Sequence, residues 1–510
     1  MRTSRIRIYR LLCLFLIYAV MLHDIVGAQR SIKPDFDILD SYVEKEMSAC
    51  RIPGFALAVI QNGQLLYTKG YGKADPSGRE VTPDTPFHIA SLSKSFTALA
   101  IMQLVDRNLV ELDQKVSAYL PYFTLQDPSS TQSITIRQLL NHTSTLVENA
   151  EFAVASLRGD DTSIQELARR LSSSRTSGVL GETFQYNNAN YIILGAIIEA
   201  VAGMSYQEYI MHNIFEPLEM HHSHLSLESA LKDGLAAGYR TIFGFPVAVQ
   251  LPFRTDFLPA YSVISSAADL SIYVGMLQNG GVHQGIRIVS AENLKMMFSL
   301  SSSVTPWEWY GFGWFLTSGS IFHGGELTNY QSKIKMLTDD NLAVVMLCNT
   351  SSSTAGTLFN VGYRDRIEGG IFNILYGLAP DHYPPGVGVF NLNRYPIKVS
   401  YTIYAALSIY IVYRLAMEII RLNQYQRSLS QRKRRLRKSI VSLIFWHFTL
   451  PVGVLLLVPL STSASWSFII FYIPDLGILA MTSCLALLAS GIFKIVAFTR
   501  HVRNINANGT

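Results

Sequence analysis

The apolar content of the chain rises sharply after about residue 399. Three runs there have the length of membrane spans: residues 399–413 extended by 415–420, residues 440–460, and residues 476–498. A membrane-spanning helix needs roughly 20 predominantly apolar residues. Part of this 510-residue chain is therefore expected to face water and part to face lipid. We predict a water-exposed part before residue 380 and three transmembrane helices after residue 398.

The N-terminus has the pattern of a secretory signal peptide. Four arginines lie within the first ten residues, a short apolar run follows at 11–22, and residues 26–28 are a Val-Gly-Ala sequence suited to cleavage. An uncleaved anchor helix is the alternative, but this apolar run is well short of a membrane span. We predict a signal peptide at residues 1–28 and export of the segment that follows.

Residues 421–439 carry eight lysines and arginines and no acidic residue. These eight positive charges exceed the chain's net charge of +5, so the basic character of the chain comes from this segment. A nucleic-acid-binding segment is the alternative, but a basic loop between two apolar runs fits the positive-inside rule better. We predict a multi-pass cell-membrane protein that contacts lipid and binds no nucleic acid. Its predicted parts are an extracytoplasmic domain at 29–379, a linker at 380–398, three transmembrane helices within 399–498, a basic cytoplasmic loop at 421–439 and a cytoplasmic tail at 499–510.

Strand patterns lie at both ends of the predicted extracytoplasmic domain, and helical patterns lie between them. A helical pattern at 35–50 precedes two strands joined by Asn62-Gly63, which is a strong hairpin signal. A long helical stretch follows from 91 to about 231, then three β-rich runs between 310 and 350, and a last helical segment. Strands that are so far apart in sequence predict an α+β fold, with an antiparallel sheet closed by long-range pairing and a separate helical lobe.

The segment "FHIASLSKSFTALAIMQLV" places Ser91 and Lys94 at the head of an otherwise apolar helix. Such a helix is buried. Ser91 in its first turn would lie near unpaired N–H groups that can hold an oxyanion. Lys94 lies on the same face, where burial favours a neutral amine that accepts a proton. Ser-x-x-Lys is weak alone, because Ser229, Ser332 and Ser430 begin the same pattern.

Taken in chain order, "FHIASLSK", "YNN" and "HGG" resemble the three motifs of the serine beta-lactamase and penicillin-binding-protein-like superfamily, in its class C branch. The resemblance extends to "GFALAVIQNGQLLYTKGYGKAD", "ITIRQLLNHTS", "AAGYR", "SSAADL" and "YGFGWF", and covers about residues 36–378. It implies a beta-lactamase-like antiparallel sheet flanked by helices, with an all-helical lobe.

For catalysis, the resemblance implies that Ser91 is the acylated nucleophile, that Lys94 is its general base, and that Tyr186 relays the proton to the leaving group. It implies a serine hydrolase whose substrate is a small peptide, amide or ester, with no metal and no cofactor. A receptor that is acylated by penicillin without turnover is the alternative from another class. A catalytically inactive scaffold is a third interpretation, although all three motif positions keep usable chemistry.

For substrate binding, the resemblance implies that Asn188 holds the substrate amide and that the N–H groups of Ser91 and Glu326 form the oxyanion hole. Gly324 and Gly325 would let the substrate lie close along the strand backbone. His323 stands where many relatives carry lysine, which favours a D-amino-acid peptidase or an esterase over an efficient beta-lactamase. We expect the positive form of His323 to hold a substrate carboxylate.

Several residues depart from the pattern that the resemblance implies. Thr145 stands where relatives usually have glycine, and Tyr261-Ser262 replaces a common glycine pair. Glu326 and Asn329 occupy positions that are often small, and we expect both to line the cleft.

Cysteines, histidines and sequons leave three questions open. Cys50 and Cys348 would approach each other in the implied fold, so a disulfide and two buried free thiols are both possible. The histidines at 221, 222 and 224 fit a surface loop better than a metal site, and no zinc spacing is present. Sequons begin at Asn141, Asn349 and Asn508.

Overall fold

The computed structural model describes residues 34–125, 133–147, 162–171, 175–242, 245–351, 363–380, 443–462 and 474–507, and five single positions between 406 and 466. The predicted signal peptide, nearly all of the linker, most of the first predicted span and the basic loop lie outside the described residues.

Eight strands of the described chain form one antiparallel sheet, in the order β2-β1-β14-β13-β12-β11-β10-β9. The first two strands in sequence thus pair with the last, and the ladder between β1 and β14 joins Phe55 to Cys348. This confirms the predicted antiparallel sheet closed by long-range pairing. The bounds of these strands are β1 Gly54–Gln61, β2 Gln64–Gly72, β9 Ser302–Thr305, β10 Glu308–Tyr310, β11 Phe315–Leu316, β12 Ser320–Leu327, β13 Tyr330–Leu337 and β14 Leu342–Cys348. Six short strands form two-stranded pairs: β3 Phe87–His88 with β6 Ile264–Ser265, β4 Tyr239–Ile242 with β5 Phe245–Ala248, and β7 Val282–His283 with β8 Ile286–Arg287.

The first hairpin forms because Asn62 and Gly63 both adopt left-handed backbone, with φ of 52° and 75°. Two such residues give the turn whose twist matches that of the flanking strands. Strand β1 is buried along nearly its whole length, since helices cover both faces of the sheet. The helices Phe36–Cys50 and Tyr363–Leu375 pack on one face, and the helix Ser93–Asp106 and the helical lobe lie on the other.

Between residues 91 and 231 the described elements are helices, as the sequence predicts. Helix α2 begins at Ser93, just after a 3-10 turn at Ala90–Leu92. The helices are α1 Phe36–Cys50, α2 Ser93–Asp106, α3 Val116–Tyr119, α4 Ile136–Leu140, α5 Ile164–Leu171, α6 Asn188–Ala202, α7 Tyr206–Ile210, α8 Leu227–Lys232, α9 Ala267–Gln278, α10 Ala291–Met297, α11 Tyr363–Leu375, α12 Leu450–Thr462 and α13 Pro474–Ala507.

The C-terminal helices α12 and α13 contact each other and the turn Phe445–Thr449 that precedes α12. Among the described residues, no single helix combines the length and the apolar composition of a bilayer span. A bent pair, α6 with Tyr206–Phe215, meets both conditions only when its two parts are taken together.

The open questions about cysteines and sequons have structural answers. Cys50 and Cys348 are both buried and are not joined by a disulfide, which corresponds to the second of the two alternatives. The sequon residues Asn141 and Asn349 are buried, and the Asn349 side chain accepts from Gly54 N at 2.7 Å. Neither amide is therefore accessible to a glycosylating enzyme in the folded chain, and Asn508 lies outside the described residues.

The histidine cluster is more ordered than a simple surface loop. His222 Nδ1 lies 2.9 Å from Asp233 Oδ2, and His224 Nε2 lies 2.7 Å from the same oxygen. His224 also exchanges backbone hydrogen bonds with Ile264. The cluster thus attaches the end of α8 to strand β6.

Candidate active site

Ser91 lies in a tight turn that the chain holds under strain. Ala90, immediately before it, has a φ of 49°, which is unfavourable for a residue with a side chain. Ser93 fixes this turn, because its hydroxyl donates to Ala90 O at 2.6 Å and accepts from Val263 N at 3.1 Å. Ile89 N donates to Val263 O at 3.0 Å. The helix itself begins two residues later than the sequence predicts, which leaves Ser91 partly exposed.

Lys94 is fully buried, yet its amine has three polar neighbours. Nζ lies 3.2 Å from Ser91 Oγ, 2.7 Å from Asn188 Oδ1 and 2.9 Å from Ala260 O. The amide and the carbonyl oxygens can only accept hydrogen bonds. In a neutral amine, two N–H groups therefore serve Asn188 and Ala260, and the lone pair is left for the Ser91 hydroxyl. This arrangement suits proton transfer from serine to lysine.

Tyr186 and Asn188 reach Lys94 from the N-terminus of α6. The Tyr186 ring centroid lies 4.8 Å from Lys94 Nζ, and the residue is 36% exposed. Helix α6 begins at Asn188 because the Asn187 side chain caps it, accepting from Ala189 N at 2.7 Å and donating to Leu146 O at 2.7 Å. The "YNN" sequence thus supplies the aromatic ring of Tyr186, the helix cap Asn187, and Asn188 as a hydrogen-bond acceptor for the Lys94 amine.

The "HGG" sequence lies on β12, beside the nucleophile turn. Strand β12 pairs with β13 from Ser320 to Leu327, but with β11 only at Ile321 and Phe322. Among the described strands, none covers the second edge of residues 323–327. A side chain at Gly325 would put its Cβ 2.0 Å from Ile89 O and 2.9 Å from the Ala90 Cβ. Glycine at this position therefore allows the close approach of the strand to the turn that carries Ser91.

His323 occupies a different environment from the one expected for a carboxylate-binding cation. Its side chain is 1% exposed. Nδ1 donates to Gly324 O at 2.8 Å, and Nε2 lies 3.1 Å from the Tyr310 hydroxyl. Burial raises the pKa of Tyr310 well above its ordinary value, so this hydroxyl keeps its proton. Both ring nitrogens are thereby engaged by the protein, which argues against a direct ion pair with substrate.

The sequence predicts that Glu326 and Asn329 both line the cleft, but the structure places their two side chains in different environments. Glu326 is exposed, and its Oε1 accepts from Gln331 Nε2 at 3.2 Å. Asn329 is buried and points inward, where its Nδ2 donates to Val249 O at 2.8 Å. Asn329 is therefore part of the packing of the β12–β13 turn, and the expectation for this residue is wrong.

His142 is a site residue to which the sequence analysis gave no role. It is fully buried, and its ring centroid lies 4.5 Å from that of Tyr186. Nδ1 accepts from Asn187 N at 3.2 Å and lies 2.9 Å from Asn190 Nδ2. Burial holds the pKa of His142 well below its ordinary value, and a positive charge on Lys94 or His323 would lower it further. The neutral ring therefore fixes the turn that presents Tyr186. In the sequence, the signal that could have pointed to His142 was its position within "NHTS".

Comparison with known proteins identifies the family. A family model described as Beta-lactamase matches residues 39–361, which is more than half of the chain. The chain belongs to the beta-lactamase family. This confirms the resemblance to the serine beta-lactamase and penicillin-binding-protein-like superfamily, and the matched region includes the Ser91 turn, the start of α6 and the edge of β12. Members of the beta-lactamase family are generally serine hydrolases that act through an acyl-enzyme.

Individual members of the beta-lactamase family are related to this chain at moderate identity. Protein flp of Staphylococcus aureus (strain MW2) is 29% identical over 320 residues, or 62% of this chain and 63% of that protein. Penicillin-binding protein 4 of Amycolatopsis lactamdurans is 31% identical over 273 residues, or 52% and 70%. The octameric penicillin-binding protein homologue from Pyrococcus abyssi is similar in structure, with a TM-score of 0.57, 28% identity, and coverage of 68% of this chain and 79% of that chain. The chain thus spans less than two thirds of the length of the S. aureus relative.

Proposed function

We propose that this protein is a membrane-anchored, extracytoplasmic serine hydrolase of the class C branch. Its substrate is a small peptide, amide or ester, and D-amino-acid peptides and esters are favoured over beta-lactams because histidine stands at position 323. Anchoring is supported by the apolar runs after residue 399 and by the basic segment between the first two of them. The mechanism requires no metal and no cofactor.

The contact of 3.2 Å between Lys94 Nζ and Ser91 Oγ carries this proposal. Lys94 takes the hydroxyl proton as Ser91 Oγ attacks the substrate carbonyl carbon. The N–H groups of Ser91 and Glu326 stabilise the oxyanion. The proton then passes through Tyr186 to the leaving group, the tetrahedral intermediate collapses to the acyl-enzyme, and water releases the acid from Ser91 by the reverse sequence.

Mass spectrometry of the Ser91 peptide tests this proposal, after incubation with p-nitrophenyl acetate, a fluorescent penicillin or a D-Ala-D-Ala peptide. We expect a transient acyl group on Ser91 with at least one of them, together with product release. Ser91→Ala should abolish the label. Lys94→Ala should slow acylation by about a thousandfold, because general-base catalysis typically contributes 10²–10⁴.

Ser229 provides a matched control. It begins the same Ser-x-x-Lys pattern on α8, but its hydroxyl lies 2.8 Å from that of Ser226, and Lys232 Nζ donates to Glu228 instead. Ser229→Ala should therefore keep the full rate. Undiminished turnover in Ser91→Ala would exclude the proposed mechanism. A label that persists on Ser91 without turnover would favour the penicillin-binding receptor.

A further inference from the structure

Two successive backbone carbonyl groups of the segment 258–262 accept hydrogen bonds from side chains of α2. Ala260 O accepts from Lys94 Nζ at 2.9 Å, and Pro259 O accepts from Thr97 Oγ1 at 2.7 Å. Thr97 lies one turn after Lys94 on the same face of α2. Lys94 is the proposed general base, and Thr97 is a fully buried neighbour that holds the same segment.

The N–H groups that would ordinarily bond to the Pro259 carbonyl are used elsewhere. In a helical turn, this oxygen would accept from the N–H group four or five residues later. Val263 N instead donates to Ser93 Oγ at 3.1 Å. Ile264 N donates to His224 O, also at 3.1 Å. A buried carbonyl group without a partner is unfavourable. A side-chain hydroxyl of α2 is therefore the donor that fixes the direction of the Pro259 carbonyl.

The Thr97 hydroxyl is itself held by a second buried hydroxyl group. Tyr206 OH lies 2.7 Å from Thr97 Oγ1, and both residues are fully buried. The Pro259 carbonyl oxygen can only accept, so it takes the one hydroxyl proton of Thr97. Tyr206 is then the donor to Thr97, and burial keeps its proton in place by raising the pKa of Tyr206 above its ordinary value. The two hydroxyls thus form a chain with one direction, from Tyr206 on α7 to the Pro259 carbonyl.

This hydroxyl chain controls the environment of the Lys94 amine. The carbonyl groups of Pro259 and Ala260 belong to adjoining peptide units, so a rotation of the first unit moves the second. If Ala260 O moved away, one N–H group of the neutral amine would lose its acceptor. The lone pair of the amine would then no longer be fixed on Ser91 Oγ, which lies 3.2 Å from Nζ.

We propose that Thr97 and Tyr206 are positioning residues for the general base Lys94. Their hydroxyl chain holds the Ala260 carbonyl on the lysine amine, and this leaves the lone pair of the amine for Ser91. The inference rests on the proposed function of Ser91. Because both hydroxyls are buried, their loss should lower the maximal rate constant of acylation and leave the ester concentration at half-maximal rate nearly unchanged.

The test measures single-turnover acylation of the full-length protein by p-nitrophenyl acetate between pH 5.5 and 8.5. Thr97→Val keeps the shape of the side chain and removes the hydroxyl. We expect it to slow acylation by about tenfold, the contribution of one hydrogen bond. It should also move the acidic limb of the pH profile to lower pH, because a carbonyl oxygen bonds more strongly to an ammonium than to a neutral amine.

Thr97→Ser separates positioning from packing. It loses a methyl group and keeps the hydroxyl, so it should keep the wild-type acylation rate and acidic limb even if it lowers the melting temperature. A purely structural role of Thr97 predicts instead that neither variant moves the acidic limb. A wild-type rate and pH profile in Thr97→Val would overturn the inference.

Tyr206 provides a second test that leaves the threonine in place. Tyr206→Phe should slow acylation by about threefold, because Thr97 can still donate to Pro259 O without its own donor. The double variant Thr97→Val/Tyr206→Phe should be no slower than Thr97→Val, because both hydroxyls act through one carbonyl. Tyr209 is the matched control: it is also buried on α7, and within the described part of the chain its hydroxyl has no hydrogen-bond partner. Tyr209→Phe should keep the wild-type rate.

These variants also keep the inference testable if Thr97→Val does not fold. In that case, a wild-type rate and pH profile in Tyr206→Phe would overturn it. Fully additive slowing in the double variant would overturn it as well, because the two hydroxyls would then act independently. Absence of an acyl group on Ser91 in the wild-type protein would instead reject the proposed function.

Discussion

Three residues with side chains adopt left-handed backbone around the site. Ala90, His142 and Thr145 have φ of 49°, 60° and 59°. Such conformations cost roughly 1–2 kcal/mol each and persist only where the surrounding structure imposes them. Thr145 stands where relatives usually have glycine, and its positive φ gives the physical reason for that preference. The strain lies in the two turns that carry Ser91 and support Tyr186.

The buried His142 should make stability depend on pH. Its pKa is depressed in the folded protein, whereas an unfolded histidine has a pKa of about 6.5. Below that pH, His142 binds a proton in the unfolded chain but stays unprotonated in the folded chain. The stabilisation is therefore complete above about pH 6.5 and is lost on acidification, by at most about 1.4 kcal/mol per pH unit. We expect His142→Asn to flatten this loss, as measured by urea unfolding between pH 7.5 and 5.

Asparagine is the informative replacement because it tolerates a positive φ and keeps an acceptor near the position of Nδ1. His221→Asn, at an exposed position, is the control and should keep the wild-type slope. His88, whose pKa burial lowers to about 4, contributes with the same sign, and His222, whose pKa is raised, contributes with the opposite sign. Both are present in every variant, so the comparison isolates His142. Parallel slopes in wild type and His142→Asn would refute this prediction.

At the scale of elements, the segment 258–262 packs between α2, which carries Lys94, and α6. Pro259 O accepts from Thr97 at 2.7 Å, and Ala260 O accepts from Lys94 at 2.9 Å. Helix α6 packs directly against this segment at Gly195. The departure noted at Tyr261 is accommodated in the same segment, where its ring packs 4.7 Å from that of Phe257.

Gly195 should be intolerant of a methyl group. A Cβ there would lie 2.2 Å from Pro259 Cγ and 2.8 Å from Pro259 Cβ. We expect Gly195→Ala to lower the free energy of unfolding by about 1–3 kcal/mol, as overpacking does, and to slow acylation by moving Ala260 O away from Lys94. Gly319 has open space around it, and Gly319→Ala should change neither quantity. Thermal unfolding and single-turnover acylation measure both effects. Wild-type stability in Gly195→Ala would contradict this packing argument.

At the scale of the whole molecule, we predict that the beta-lactamase-like domain and the apolar C-terminal segment face different solvents. The predicted three crossings would leave the catalytic domain outside and the basic segments 421–439 and 499–510 in the cytoplasm. Protease added to intact cells should remove the hydrolase domain and spare a tag placed after Thr510. The same protease after detergent lysis is the control, and it should digest the tag. Loss of the tag from intact cells would overturn the three-crossing prediction.

Much of the fold could be predicted because its signals are local. Asn62-Gly63 specifies a hairpin, the apolar pattern of residues 35–50 specifies α1, and the β-rich runs near 310–350 became β10 to β14. Their pairing with β1 could be predicted only in outline. No local pattern identifies the register that joins Phe55 to Cys348.

The catalytic residues could be proposed from sequence because their types and order are distinctive. The contacts that tune them could not, because each depends on segments that meet only in three dimensions. Ala260 is 166 residues from Lys94, and the hydroxyl that engages His323 comes from a separate strand. His142 was visible within "NHTS", but burial and the neutral state of its ring are properties of the packed site.

The pairing of β1 with β14 sets an order of events during synthesis. Strand β1 leaves the ribosome about 280 residues before β14, which is roughly 15–60 s at ordinary elongation rates of 5–20 residues per second. Throughout that interval one edge of the hairpin lacks its partner, and both apolar faces of β1 lack their covering helices. Non-local pairing of this kind folds slowly. The nascent hairpin is therefore a segment of this chain for which chaperone protection during synthesis matters.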